Sequence, residues 1–228
     1  MLTVPFFIAK EDRTQSDRVE KVSFMEIELK YAINDKETAA RIWEDPDLKK
    51  VEEPDTRETI FMNATYFDTD DYDLCKNDMA YRIRREDDQL IASLKWGGKT
   101  EGALHTREEI NIPVMDTNPN PVTFEESDIG QELIHILKGK QLHPIMEMQI
   151  ERRRFRVDTE TSLLEVSVDS GKIVTEKGSC PICEVEVELF SGDQEALLKV
   201  GAQLEEKYHV VSEKRSKFYR GLLLLGQR

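Results

Sequence analysis

Met25-Glu26-Ile27-Glu28-Leu29-Lys30-Tyr31 alternates without a break, with Glu26, Glu28 and Lys30 on one side of an extended chain and Ile27, Leu29 and Tyr31 on the other. A period of two is the mark of a β-strand. Charge makes this stretch decisive, because its polar side carries only ionisable groups. The habit returns along the chain. Arg82 and Arg84 flank Ile83, Lys95 stands between Leu94 and Trp96, and Arg107 and Glu109 share one side of Thr106–Ile110. Arg152, Arg154 and Arg156 alternate with Arg153 and Phe155. Glu165, Ser167 and Asp169 alternate with Val166 and Val168, and Glu184, Glu186 and Glu188 with Val185, Val187 and Leu189.

Several of these strands thus offer one sign of charge only. Like charges two residues apart on a strand repel, and the cost grows when the face is enclosed. For any single strand, a solvated face with cross-strand ion pairs explains the pattern equally well. Across all of them, the segregation of acids from bases argues that each cluster faces something of opposite sign. Clustered carboxylates suit a hard divalent cation, Mg²⁺ or Mn²⁺. Arginines and lysines suit phosphate, which guanidinium grips through paired hydrogen bonds. A polyphosphate carrying its metal satisfies both. The geometry that follows is a closed barrel of about eight strands, wide enough for a small ligand. Its charged faces turn inward and its apolar faces turn outward beneath helices.

The remaining pattern agrees. Further strands are expected at Ala64–Phe67, Met79–Arg85, Gln89–Trp96, Thr106–Ile112, Met146–Val157, Ser162–Ser170 and Cys183–Phe190, with turns at Glu86-Asp87-Asp88, Gly97-Gly98 and Ser170-Gly171. Helices are expected over Asp35–Trp43, Gly130–Lys138, Asp193–Tyr208 and Lys217–Leu225, the third opened by a capping box at Ser191-Gly192-Asp193-Gln194. Many antiparallel strands with few helices make an α+β protein. No repeat or linker divides residues 25–228, which read as one domain. Residues 1–24 mix charge and apolar side chains without a period and read as a loosely ordered tail.

Composition sets outer bounds. The chain of 228 residues suits one generous domain, and its net charge of −14 argues against a nucleic-acid partner. It does not exclude an anionic ligand, since a pocket responds to its local field. No apolar run reaches membrane-spanning length, and Met1–Ala9 lacks the basic leader and long apolar core of a secretion signal. Three cysteines, Cys75, Cys180 and Cys183, fit reduced thiols in the cytoplasm; one CxxC pair without a second does not make a zinc site. The four histidines are scattered and read as structural or surface residues.

These stretches also resemble a known family. Glu26-Ile27-Glu28-Leu29-Lys30 is similar to the ExExK signature that opens CYTH domains, also called triphosphate tunnel metalloenzymes. Tyr66-Phe67-Asp68-Thr69, Tyr81-Arg82-Ile83-Arg84 with Lys95, the acidic run Ile182–Leu189 with Ser191-Gly192-Asp193, and Ser216–Gly221 resemble later segments of that family, in order. The resemblance implies an eight-stranded antiparallel tunnel acting on triphosphates with Mg²⁺ or Mn²⁺. It implies metal ligation by Glu26, Glu28, Glu186 and Glu188. It implies phosphate binding by Lys30, Arg82, Arg84, Lys95 and Arg154, with Lys214 or Lys217 as a C-terminal contact. Arg107 and Arg152 fit the alternation. Glu109 and Asp169 would support the metal or the attacking water, and Glu186 would orient that water. The register of Glu184, Glu186 and Glu188 stays open.

The function expected is hydrolysis of a small-molecule triphosphate, inorganic triphosphate first, as in the bacterial inorganic triphosphatases that the chain most resembles. A class IV adenylate cyclase, a thiamine triphosphatase using Trp96 as an aromatic platform, and a non-catalytic polyphosphate- or nucleotide-binding module are the alternatives. A homodimer is compatible with all four readings. Neither nucleic acid nor a membrane is expected as partner.

Overall fold

In the computed structural model, which describes residues 24–228, the stretch quoted above is β1 (Phe24–Ala32). It is followed by α1 (Lys36–Trp43), α2 (Pro46–Lys50), β2 (Glu58–Asp68), α3 (Asp73–Lys76), β3 (Met79–Glu86), β4 (Gln89–Glu101) and β5 (Leu104–Val114). A 3₁₀ turn at Pro121–Phe124 leads to α4 (Asp128–Leu137), β6 (His143–Asp158), β7 (Ser162–Thr175), β8 (Gly178–Gly192), α5 (Gln194–Tyr208), β9 (Val211–Ser212) and α6 (Lys217–Leu225). The sheet runs β5-β4-β3-β2-β6-β7-β8-β1, and β1 pairs back onto β5, closing a ring of eight antiparallel strands. The short β9 attaches to the end of β1. Residues 1–23, most of the expected tail, lie outside the described residues.

The apolar faces do turn outward. Leu29 and Tyr31 of β1, Val166 and Val168 of β7, and Val185 and Val187 of β8 pack with Ile42 of α1 and Leu197, Val200 and Leu204 of α5. On the opposite side Tyr81, Ile83, Leu94 and Ile110 pack with Leu74 of α3, Phe124, and Leu133 and Leu137 of α4. Fully burying one such side chain is worth about 1.5–3 kcal/mol, so these two outer layers contribute strongly to stability. Capping fixes where the covering helices start. Asp35 accepts the Thr38 amide at 2.7 Å to open α1, and Ser127 accepts the Gly130 amide at 3.1 Å to open α4.

Four local expectations change. Gly97-Gly98 lies within β4 and forms a bulge, with Gly97 in the left-handed region at φ +62°; the chain reverses later, between Glu101 and Leu104. Ser170-Gly171 also stays in its strand, and β7 turns into β8 between Thr175 and Gly178. The expected capping box at Ser191 does not form. The Asp193 amide instead donates to Ser162 Oγ at 2.7 Å, which ties α5 to β7. Finally, β2 begins at Glu58, earlier than expected, because Ile60 and Met62 continue the alternation toward the interior.

α6, expected as a helix that carries the candidate phosphate contact Lys217, also sets the shape of the interior. Phe218, Leu222 and Leu225 pack against Ile60, Met62, Tyr66, Met146, Met148, Ile173 and Ile182. Those residues share a face with the charged positions of the same strands. Phe218 stacks on Tyr66 with ring centroids 5.0 Å apart. The helix approaches so closely that a Cβ on Gly221 would lie 2.3 Å from Met146 Sδ. One end of the barrel is thus closed by an apolar plug, and the charged band lies beyond it.

Candidate active site inside the barrel

Residues directly opposed in an antiparallel ladder share a face. Around the ring the register links Arg107 to Glu26, Glu28 to Glu188 and Lys30 to Glu186. It links Glu188 to Glu165, Glu184 to Asp169 and Asp169 to Arg152. It also links Lys95 to Glu109 and Tyr66 to Arg82. All of the expected strand residues of the site, Glu26, Glu28, Lys30, Arg82, Arg84, Lys95, Arg107, Glu109, Arg152, Arg154, Asp169, Glu186 and Glu188, therefore line one interior. Lys214 is different: it is exposed in the loop between β9 and α6. Trp96 is also misplaced as a substrate platform, because it packs in the outer layer with Ile110 and Leu94. The two thiols of Cys180 and Cys183 fall on opposite faces of β8, a consequence of their odd spacing, so they do not share a site.

The interior charges sort into three groups. In the first, Lys95 Nζ lies 2.8 Å from both Glu26 oxygens and 2.9 Å from Glu109 Oε2. Arg82 Nη2 reaches Ser93 Oγ at 3.2 Å and Glu109 Oε1 at 3.4 Å. Burial alone would raise the Glu109 carboxyl, but Lys95 and Arg82 outweigh it and hold it below its ordinary range. The Nε atoms of Arg82 and Arg84 are buried with no hydrogen-bond partner among the described residues. An unpaired buried donor of this kind is costly unless a ligand meets it.

The second group surrounds α6. Arg152 grips Asp169 through two 2.7 Å bonds and reaches Glu186 Oε2 at 2.6 Å. Lys217 Nζ lies 2.8 Å from Asp169 Oδ2 and 2.7 Å from Glu186 Oε1, and also contacts Glu184. Arg220 donates to Glu184 Oε2 at 2.5 Å. Lys30 Nζ completes the shell, 2.7 Å from Glu186 and 2.8 Å from Glu28. Burial pushes the Glu186 carboxyl up, and Lys217, Lys30 and Arg152 together bring it well below its usual value. A carboxylate held that firmly in its ionised form is a weak proton acceptor. Glu186, expected as a metal ligand and activator of water, thus sits among three cations. Lys217, expected at phosphate, touches carboxylates.

The third group is short of cations. Glu188 has no ion pair among the described residues, and burial, reinforced by Glu26, Glu165 and Glu28, drives its carboxyl well above the usual range. Glu165 is raised too, chiefly by burial, against the pull of Arg154 and Arg152. Oxygen donors converging from β1, β7 and β8 with too little positive charge between them fit a hard divalent cation. Glu26 and Glu28, which share the interior with Glu188, each meet one ammonium, that of Lys95 and Lys30 respectively, while Asp169, Glu184 and Glu186 lie closer together and surround that of Lys217.

Several contributors were not singled out from sequence. Glu165 belongs to the alternation already visible on β7. Glu58 and Glu86 pair with Arg154 at 2.7 and 3.3 Å beside Glu165, at the end away from α6. Arg220 is reachable only through the helix that carries it. His105 is interior, and the Glu213 carbonyl accepts its Nε2 at 2.8 Å, a structural tie.

A closed ring of antiparallel strands, lined by ExExK on β1 and capped by a C-terminal helix, meets one further finding: the model of the CYTH domain family matches residues 25–222. The chain belongs to the CYTH domain family. Among characterised relatives, this CYTH chain is 33% identical over 167 residues to the inorganic triphosphatase of Haemophilus influenzae, covering 73% of its own length and 47% of that protein. It thus spans about half the length of that relative. Solved structures share the fold. A Hippeastrum protein, an adenylyl cyclase candidate described as having a dominant triphosphatase activity, aligns with a TM-score of 0.64 at 19% identity, over 89% of this chain and 97% of that one. A Pyrococcus horikoshii protein aligns at 0.53 and 21% identity, over 89% and 99%. Among the described residues no helix of this CYTH domain is long and apolar enough to cross a membrane.

Proposed function

We propose that this protein hydrolyses inorganic triphosphate to diphosphate and phosphate, using Mg²⁺ or Mn²⁺ inside the tunnel. The observation that carries the reading is the juxtaposition, in one enclosure, of buried, unsatisfied guanidinium Nε donors on Arg82 and Arg84 with Glu188, a buried carboxylate that has no ion pair among the described residues and lies beside Glu26 and Glu28. Only a ligand that is both anionic and metal-bearing answers the two deficits together. The activity of the Haemophilus relative supports the choice of inorganic triphosphate. So does α6, which fills the far end and leaves any organic substituent on the phosphate chain to remain at the Glu58–Glu86 mouth.

In this reading Arg82, Arg84, Lys95, Arg107 and Arg154 bind and orient the phosphates. Their fixed charges offset the negative charge that develops as the bond to the leaving diphosphate breaks. Lys30 bridges Glu28 to Glu186 and holds the metal-side carboxylate in place. Glu26, Glu28 and Glu188 would hold the metal, which supplies Lewis-acid polarisation of the phosphoryl oxygens when bound. Water forms the new bond to the terminal phosphorus, and Glu165, with its raised carboxyl, can take up the proton released. Asp169 and Glu109 act by fixing Arg152 and Lys95. Three unpaired thiols support a reducing, cytoplasmic setting.

The test is phosphate release by purified protein offered inorganic triphosphate, ATP or thiamine triphosphate, with Mg²⁺, Mn²⁺ or EDTA. Metal-dependent release from inorganic triphosphate in preference to the others is expected. Formation of cyclic AMP from ATP without release of phosphate from inorganic triphosphate would overturn the reading in favour of a cyclase.

A further inference from the structure

Ser93 and Asn111 face each other across β4 and β5, next to the pair Lys95 and Glu109 on the same interior face. Both are neutral residues in a charged band, and their hydrogen bonds run in one direction. Ser93 Oγ donates to Asn111 Oδ1 at 2.5 Å, and Arg82 Nη2 donates to Ser93 Oγ at 3.2 Å. A hydroxyl has a single proton to give and lone pairs with which to accept. With its proton committed to Asn111, Ser93 can only accept from the guanidinium. Ser93 is 0% exposed, so bulk water does not compete for that acceptor, whereas Asn111 lies at the exposed end of β5. Tyr66, opposite Arg82 on β2, brings a second hydroxyl to the same guanidinium. Glu109 lies farther off, 3.4 Å from Arg82 Nη2, and is closer to Lys95 at 2.9 Å. Arg82 is thus held mainly by neutral oxygens, and its Nε stays buried with no hydrogen-bond partner among the described residues.

We infer that Ser93 and Asn111 are positioning residues: the relay from Asn111 through Ser93 holds Arg82 so that its unpaired Nε is aimed at a phosphate oxygen of the substrate. The inference rests on the proposed function for the presence of phosphate at Arg82. A guanidinium presents its donors in a rigid plane, so fixing one nitrogen aims the others. A carboxylate in place of Ser93 would fix the plane equally well but would offset the charge meant for phosphate. An arginine left untied would keep its charge and lose side-chain freedom each time substrate bound. A hydroxyl whose proton is already taken avoids both costs.

The test is kcat and KM for inorganic triphosphate with Mg²⁺. Ser93→Ala removes the acceptor, and Asn111→Leu frees the Ser93 hydroxyl to turn its proton toward the guanidinium. Each should lower kcat/KM by about tenfold or more, the scale of one hydrogen bond to a charged group. Ser93→Thr, which keeps the hydroxyl, should stay within about threefold of wild type. A double-mutant cycle separates positioning from a merely structural role. Ser93→Ala added to Arg82→Ala should cost less than about twofold, because no guanidinium remains to be aimed. Asn111→Leu changes an exposed position and keeps the test open if Ser93→Ala fails to fold; its loss should vanish in the Arg82→Ala background in the same way. Folded Ser93→Ala and Asn111→Leu proteins that both stay within about twofold of wild type would overturn the inference. So would losses of equal size with and without Arg82. The proposed function fails separately: if the wild type consumes ATP and not inorganic triphosphate, the same cycle run on ATP still decides the relay, since Arg82 would meet phosphate oxygens in either substrate.

Discussion

Leu222→Ala measures whether the charged barrel has an apolar end. Residues 222–225 are four leucines in a row, and the structure divides them: Leu222 and Leu225 are each 1% exposed inside the plug, whereas Leu223 is 40% exposed. Truncating Leu222 removes about three carbons from the interior, at about 0.8 kcal/mol for each buried methylene. A residual cavity of roughly 30 Å³ adds about 0.7 kcal/mol at ~24 cal/mol per Å³. The expected loss is therefore about 3 kcal/mol, within the ~2–5 kcal/mol span of buried Leu→Ala changes. For a domain of this size that corresponds to a fall in Tm of roughly 6–12 °C. Leu223→Ala is the control and should stay within about 0.5–1 kcal/mol of wild type. Urea unfolding followed by circular dichroism and by tryptophan fluorescence gives both values, with the slope m unchanged if the two proteins unfold as one unit. A loss below about 1 kcal/mol for Leu222→Ala, or equal losses for the two leucines, would refute the placement of α6 inside the barrel.

Arg84→Gln should lower phosphate release from inorganic triphosphate by about 10²–10³-fold with the circular dichroism spectrum unchanged, because it removes a preorganised donor; a fall of less than about tenfold would take Arg84 out of the phosphate site. Glu188→Gln should abolish metal-dependent release while leaving the metal-free protein no less stable at neutral pH. Its carboxyl is raised in the folded state, so ionisation at neutral pH works against folding, and that penalty is relieved as pH falls. A clearly lower Tm for the metal-free variant would contradict this. Asp45→Asn should cost about 1–2 kcal/mol at pH 7, since Asp45 caps α2 through the Asp47 and Leu48 amides and accepts from Tyr208 Oη at 2.5 Å. Burial opposes but does not outweigh its partners Lys207 and Tyr208, so its carboxyl is depressed. Its contribution is then present above about pH 3.9, the unfolded value, and lost as pH falls through the folded one. The deficit of the variant should shrink in acid, and a deficit constant from pH 7 to pH 3 would show that the ionised carboxylate is not what stabilises.

Glu26, Glu28 and Lys30 alternating with Ile27, Leu29 and Tyr31 determined, by themselves, that β1 is a strand with one ionisable face, since the two-residue repeat of an extended chain is a local property. The same repeat in Arg152–Arg156 and Glu184–Glu188 determined that these charges share faces, and their segregation by sign determined that the faces are enclosed. What no repeat contains is which acid meets which base. Lys217 sits far along the chain from Asp169 and Glu186, and only the docking of Phe218 and Leu222 against Tyr66 and Met146 brings its ammonium among them. The same docking surrounds Glu186 with three cations and leaves Glu188, two residues away on the same strand, with no ion pair among the described residues. The turns at Gly97 and Ser170 were misread because a glycine permits a bulge as readily as a reversal, and the neighbouring strand decides between them. Alternation and charge are carried by the covalent chain, so the sequence determines them. Partnership inside a closed barrel depends on distances between strands and one inserted helix, and these exist only once the ring has closed.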